Sequence, residues 1–197
     1  DIVGFTPISE HFKNNNDPQG LVTLINRLLS ALTDVVLSLD GTIDKYMGDC
    51  IMAFWGAPVD CDNHEERAVT CAGLMLVALE KLNEEIEAEG LPKLGIGIGI
   101  NTGPCVIGNM GGEKRFDYSA IGDAVNVAAR LESSTRKYTE DVLIGETTAK
   151  AVQPFLVQPL DSIEVKGKSE RLSVYTLSED AIRDAHLSNY WDREINP

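Results

Sequence analysis

The chain has 197 residues, 43% of them hydrophobic and 24% charged, a composition that supports one well-packed globular domain. Against 17 basic residues stand 31 acidic ones, a formal charge of −14, which argues against a nucleic-acid backbone or an anionic membrane surface as partner. A small anionic ligand stays possible, because positive charge can be concentrated in a cleft.

Cys50, Cys61, Cys71 and Cys105 make no CxxC pair and no zinc-like grouping with the three histidines, so they read as buried free thiols of a reducing compartment. No run approaches the roughly twenty apolar residues that cross a bilayer, and no signal peptide is visible. The sequence opens on Asp1 without a methionine and reads as a piece cut from a longer chain.

In chain order, "DIVGFT" (1–6) reads as a strand end running into a glycine-containing turn. A carboxylate beside backbone amides there can hold a cation and a phosphate, or Asp1 is simply a solvated strand-end residue. Pro18 to Leu39 carries Leu21, Leu24, Ile25, Leu28, Leu29, Leu32, Val35, Val36 and Leu39 at helical spacing, and Gly41 is expected to end that helix. Residues 42–47 and 50–55 read as two strands joined at Gly48-Asp49, where a leading glycine suits a two-residue type II′ turn. Asp49 at that tip either bonds its own turn or meets a second carboxylate. If Asp1 ends the neighbouring strand, the two could hold paired divalent ions about 3.5–4 Å apart. Magnesium needs few carboxylates when substrate phosphates complete its shell.

Asp60, Asp62 and Asn63 are candidate caps for a helix running to about Glu89. "KLGIGIGINTG" alternates glycine and isoleucine, a strand whose glycine face another element approaches closely. "CVIGNMGGEKRFDYSAIG" reads as strand, glycine-rich loop and strand. "DAVNVAARLESSTRKY" is helical and puts Asn126 and Arg130 on one face. That pair is either an ordinary solvated face or an amide for a sugar and a guanidinium for a phosphate. Arg115 and Lys166 are further cations beside glycines. "DVLIG", "FLVQPLDSIEVKG" and "RLSVYTL" supply the remaining strands. No GxGxxG opens a helix and no GxxxxGK[ST] exists, so neither a Rossmann nor a P-loop site is supported. Interleaved helices and hairpins predict one α+β domain: a ferredoxin-like, palm-type core of mainly antiparallel sheet, helices packed on one face, and a smaller C-terminal αβ extension. The expected domain spans residues 1–178, followed by an acidic tail over 179–197.

Taken together and in order, "DIVGFT", "DKYMGDCIMAFWG", "GIGINTGPCVIGNMG", "KRFDYSAIGDAVNVAARLES" and "VKGK" resemble the class III adenylyl cyclase catalytic domain, nearest its bacterial and soluble branch. The resemblance implies conversion of ATP to 3′,5′-cyclic AMP and pyrophosphate with two Mg2+ or Mn2+ ions per site. It implies metal ligation by Asp1, Asp49 and the carbonyl of Ile2. Phe5 and Thr6 fall in the turn whose amides meet the phosphates, Lys45 and Ser119 at the two base-reading positions, Asn126 at the ribose and Arg130 at the transition state. Arg115 and Lys166 match cations on the triphosphate tail. Ser119 stands where the family more often has aspartate or threonine, and the strand before Asp1 is missing. The resemblance further implies a homodimer with shared sites, a cytoplasmic catalytic domain, regulatory domains in the full-length chain and no nucleic-acid partner. Guanylate cyclase, with an acidic residue expected in place of Lys45, is the first alternative. A degenerate nucleotide-binding or dimerisation module is the second.

Overall fold

In the computed structural model, residues 1–112, 114–164 and 171–178 are described. Strand β1 (Ile2–Val3) leads through Gly4, at φ 72°, into helix α1 (Phe5–Asn14). The sequence suggested only a turn at Phe5 and Thr6. Ile8 and Phe12, four residues apart, bury one side of the short helix against the core.

Helix α2 (Pro18–Ser38) starts where proline occupies its first turn and the Asp17 carboxylate accepts from Gly20 N at 2.8 Å. Its buried stripe is Leu24, Leu28, Leu32, Val35 and Val36. The left-handed residue that follows is Asp40, at φ 58°, not the expected Gly41. Gly41 answers a different demand: a Cβ there would lie 2.5 Å from Val36 and 2.8 Å from the Trp55 ring. At 21 residues and mean hydropathy 1.5, α2 is long and apolar enough to span a membrane, which corrects the expectation that no run comes near that length. Here its stripe packs in the same clusters as the next helix.

Strands β2 (Thr42–Met47) and β3 (Cys50–Phe54) form the predicted hairpin. Gly48 has φ 69° and Asp49 is not among the positive-φ residues, in keeping with a type II′ turn. The ladder slips between Ile43, opposite Ala53, and Lys45, opposite Met52, so Asp44 is an extra residue in a β-bulge. Helix α3 (His64–Ala88) follows Asn63, whose side chain accepts from Arg67 Nε at 3.0 Å and makes no cap bond. α3 is the hub of the core. It contributes Leu79, Leu82 and Ile86 to one cluster, Cys71, Leu74 and Ala78 to a second, and Val69 and Ala72 to a third.

The glycine–isoleucine run breaks into β4 (Gly95–Ile96), antiparallel to β1, and β5 (Ile98–Ile100), parallel to β8 (Val142–Gly145). β8 pairs antiparallel with β10 (Arg171–Leu177), and β10 with β9 (Val157–Glu164), giving the order β5-β8-β10-β9. Helix α4 (Asp123–Tyr138) lies on the glycines. A Cβ on Gly99 would stand 2.1 Å from the Ala128 carbonyl oxygen, and one on Gly97 2.5 Å from Thr135 Oγ1. Along β8, Val142 and Ile144 join α3 and helix α5 (Glu146–Ala151), while Leu143 joins Val127 and Leu131 of α4. Alternate residues of a strand face opposite ways. Helices therefore cover both faces of this sheet, where one face was expected. The α+β class with mainly antiparallel pairing stands.

β6 (Val106–Gly112) and β7 (Arg115–Ile121) make a hairpin paired only with itself among the described residues. Its Val106, Phe116 and Ile121 are 71%, 63% and 61% exposed. The four thiols are free, but only Cys71 is buried; Cys50 and Cys61 are half-buried and Cys105 is exposed, which corrects the reading of all four as core residues.

Candidate active site

Asp1 continues the β1–β4 pairing, its carbonyl oxygen accepting from Gly97 N at 2.8 Å. Because α4 lies over Gly97, the C-terminal half of that helix reaches Asp1. Arg136 Nη2 donates to Asp1 Oδ2 at 2.9 Å, and Nη1 donates to Glu132 Oε1 at 2.9 Å. Asp49 sits at the β2–β3 tip. Burial pushes the neighbouring Cys50 thiol up, and that thiol also lies within electrostatic reach of the Asp1 amino group and of the Glu132 and Asp49 carboxylates. The start of β1 and the tip of the β2–β3 hairpin thus converge on one end of the fold. Among the described residues no cluster of three or more histidine, cysteine or acidic side chains could hold a metal. Two carboxylates and the carbonyl of Ile2 are an all-oxygen donor set, the kind that suits a hard ion completed by phosphate oxygens and water. The Asp1 carboxylate already attracts a cation, Arg136. The donor chemistry fits the metals the sequence implied.

Lys45 and Ser119 come together through a residue the sequence reading missed. Ser119 Oγ donates to Asp44 Oδ2 at 2.8 Å, and Ala120 N donates to the same oxygen at 2.9 Å. Lys45 Nζ lies 3.2 Å from Asp44 Oδ1. The Asp44 side chain is fully buried, and Ser119 is 5% exposed. β2 and β7 belong to different two-stranded sheets, and Asp44 ties one to the other. An acidic residue beside a lysine in an apolar strand was the available signal. The bulge that turns Asp44 toward β7 was not legible.

Asn126 and Arg130 are both exposed on α4. At about 100° per residue they lie nearly opposite Ala128, Glu132 and Thr135, which face Gly97 and Gly99. Both lie on the side of α4 turned from Gly97 and Gly99. Phe5 and Thr6 open α1, so their amides are among the first helical N–H groups, which have no acceptor within the helix. Arg115 is exposed at the start of β7, and Lys166 lies outside the described residues. A groove of about 630 Å³ between α2 and α3, lined in part by Thr23, Arg27, Asp34, Lys81 and Glu85, contains none of the predicted site residues.

The profile of the family described as "Adenylate and Guanylate cyclase catalytic domain" matches residues 1–179. The chain belongs to that family. It is 37% identical over 176 residues to "Adenylate cyclase 1" of Rhizobium meliloti (strain 1021), a match covering 89% of this chain and 26% of that protein, so the chain spans about a quarter of this relative's length. Among solved structures it is similar to the adenylyl cyclase CyaB from P. aeruginosa, with TM-score 0.82 and 34% identity over 91% of this chain and 90% of that one. The guanylyl cyclase Cya2 matches at TM-score 0.80, also 34% identical, over the same shares. The palm-type α+β fold expected from the sequence is the fold of these neighbours.

Proposed function

We propose that this chain converts ATP to 3′,5′-cyclic AMP and pyrophosphate at sites shared between two copies of itself. The observation that carries the reading is the convergence of Lys45 and Ser119, from two separate hairpins, on the Asp44 carboxylate. An ammonium donates toward adenine N1, an acceptor, and a hydroxyl oxygen accepts from the exocyclic amino group. Guanine presents an N–H and a carbonyl oxygen at those places, leaving like groups facing each other.

Asn126 holds the ribose so that its 3′-oxygen lies in line with the α-phosphorus, and Arg130 neutralises charge growing on the α-phosphoryl oxygens. The first N–H groups of α1, at Phe5 and Thr6, face phosphate oxygens. Arg115 and Lys166 hold the triphosphate tail. The bond from the 3′-oxygen to the α-phosphorus forms, the bond from that phosphorus to the pyrophosphate oxygen breaks, and the hydroxyl proton leaves to water. Asp1, Asp49 and the Ile2 carbonyl would hold the two divalent ions, Mg2+ or Mn2+, whose chemistry is to acidify the 3′-hydroxyl and offset phosphate charge.

Asn126 and Arg130 are exposed on the side of α4 turned from Gly97 and Gly99, which supports a site completed by a second copy. The exposed apolar side chains of the β6–β7 hairpin suit such a contact. One protomer would supply Asp1, Asp49 and Arg115, and its partner Lys45, Ser119, Asn126, Arg130 and Lys166. ATP as substrate supports a cytoplasmic catalytic domain, and the greater length of its relative supports regulatory segments elsewhere in a longer chain. The similarity to the guanylyl cyclase Cya2 favours GTP as a second reading, and Lys45 argues against it. The purified chain, supplied with ATP or GTP and Mg2+ or Mn2+, is expected to release 3′,5′-cyclic AMP and pyrophosphate in equal amounts. Cyclic GMP formed at a higher kcat/KM would replace this reading with the second, and neither product would remove both.

A further inference from the structure

Asp44 occupies the bulge of β2 with its side chain withdrawn from solvent, one oxygen on β7 and the other beside Lys45. We propose that Asp44 is a positioning residue that sets base selectivity, by fixing the hydrogen-bond polarity of Ser119 and the place of the Lys45 ammonium. The inference rests on the cyclase reading and adds to it the device that makes two ordinary side chains discriminate.

The polarity follows from counting protons. Asp44 Oδ2 accepts the Ala120 N–H at 2.9 Å, so that oxygen is an acceptor. The Ser119 hydroxyl, 2.8 Å from the same atom, must therefore donate its single proton to it. What Ser119 has left is lone pairs. Toward a purine it can act only as an acceptor, which matches an exocyclic amino group and opposes a carbonyl oxygen. A serine without this partner would rotate its hydroxyl to suit either group.

The other oxygen acts on Lys45. Oδ1 is buried and makes no hydrogen bond to any described group, yet it stands 3.2 Å from Nζ. The contact is one of charge without hydrogen-bond alignment, so it holds the ammonium near Ser119 while leaving the N–H bonds to point at a base. A fully buried carboxylate with one unbonded oxygen is costly to fold, so fold stability alone does not account for Asp44. The bulge supplies the geometry: an extra residue in one strand re-aims a side chain that regular alternation would direct elsewhere.

The test compares ATP with inosine triphosphate, which differs from it only at purine positions 1 and 6, where it carries an N–H and a carbonyl oxygen. The wild-type chain, D44A and D44N are measured for kcat/KM and, in parallel, for equilibrium binding of both nucleotides. In D44A the ratio of ATP to inosine triphosphate is expected to fall about tenfold or more, because Ser119 regains the freedom to donate. In D44N the carboxamide oxygen stays with the Ala120 N–H and Ser119, and the NH2 group turns toward Lys45. Its KM for ATP is expected to rise several-fold with kcat changed less, and its ratio to fall less than in D44A. Adding D44A to a Ser119→Ala chain should move the ratio less than adding it to the wild type. Equal loss with both nucleotides in folded D44A, the ratio staying within about twofold of wild type, would overturn the inference and leave Asp44 a structural residue. Should D44A fail to fold, the ratio and KM of the isosteric D44N decide the matter. A wild-type chain that binds ATP over inosine triphosphate without forming cyclic AMP would unseat the cyclase reading, and the binding ratios would still decide the part played by Asp44.

Discussion

Arg136 occupies the carboxylate that the proposed metals need: its Nη2 stands 2.9 Å from Asp1 Oδ2 while Nη1 holds Glu132 at the same distance. A divalent ion arriving at Asp1 must displace the guanidinium or share the oxygen pair with it. The side chains of Arg136 and Asp1 are 40% and 29% exposed, and half-exposed ion pairs are worth at most about 1 kcal/mol. Arg136→Ala is therefore expected to lower the Mg2+ concentration giving half-maximal turnover by no more than about fivefold. A magnesium titration of the two proteins checks this. An unchanged midpoint would show that Arg136 yields Asp1 without competing for it.

Gly99 tests how the sheet and α4 meet. An added Cβ would stand 2.1 Å from the Ala128 carbonyl oxygen and 2.4 Å from Glu132 N, both main-chain atoms that no rotamer change can move away. Gly99→Ala is expected to cost about 3 kcal/mol or more, at the upper end of overpacking effects, read from the urea midpoint. Gly108→Ala is the control, since nothing lies within 4 Å of its Cβ position. Similar losses at the two positions would mean that α4 does not rest on Gly99.

The thiols divide by environment. Burial pushes the Cys71 thiol up to about 12, and it is 1% exposed. Thiolate is the reactive form, so Cys71 should resist a maleimide at pH 8 until the protein unfolds. Exposed Cys105 should react first. Mass spectrometry after brief labelling identifies the residues, and early modification of Cys71 would contradict the packing of α3 against α2.

Periodicity made much of this fold legible. The nine apolar positions between Pro18 and Leu39 and the alternation of "KLGIGIGINTG" each stated a local demand, and the structure meets it with a helix over Pro18–Ser38 and with α4 laid on the glycine face. α1 escaped notice because its buried pair, Ile8 and Phe12, is too short a pattern to separate from a turn. The division of the glycine–isoleucine run between β1 and β8 is set by which strands lie beside it, which no local pattern records. At the site, Lys45 and Ser119 could be picked out as residues. Their meeting depends on Asp44, and so on a one-residue slip in the β2–β3 ladder. A bulge has no composition of its own.

The way α4 presents Asn126 and Arg130 leads to a last expectation about assembly. These residues are exposed on the side of α4 turned from Gly97 and Gly99, and a site that draws on them from a second copy would need two chains. A symmetric pair would then own two equivalent sites, each drawing Asp49 from one chain and Arg130 from the other. Asp49→Ala and Arg130→Ala chains should each be nearly inactive as homodimers. In a mixed dimer one site would carry both lesions and the other neither. Turnover is expected to return on mixing, to about half the wild-type rate per mixed dimer when the sites act independently. It should fall on dilution, because assembly depends on protomer concentration. Cyclic AMP formation measured against the fraction of mixed dimer, counted by native mass spectrometry, gives the answer. Mixed dimers that form and stay inactive would mean that each chain builds its site alone, and that α4 must turn to do so.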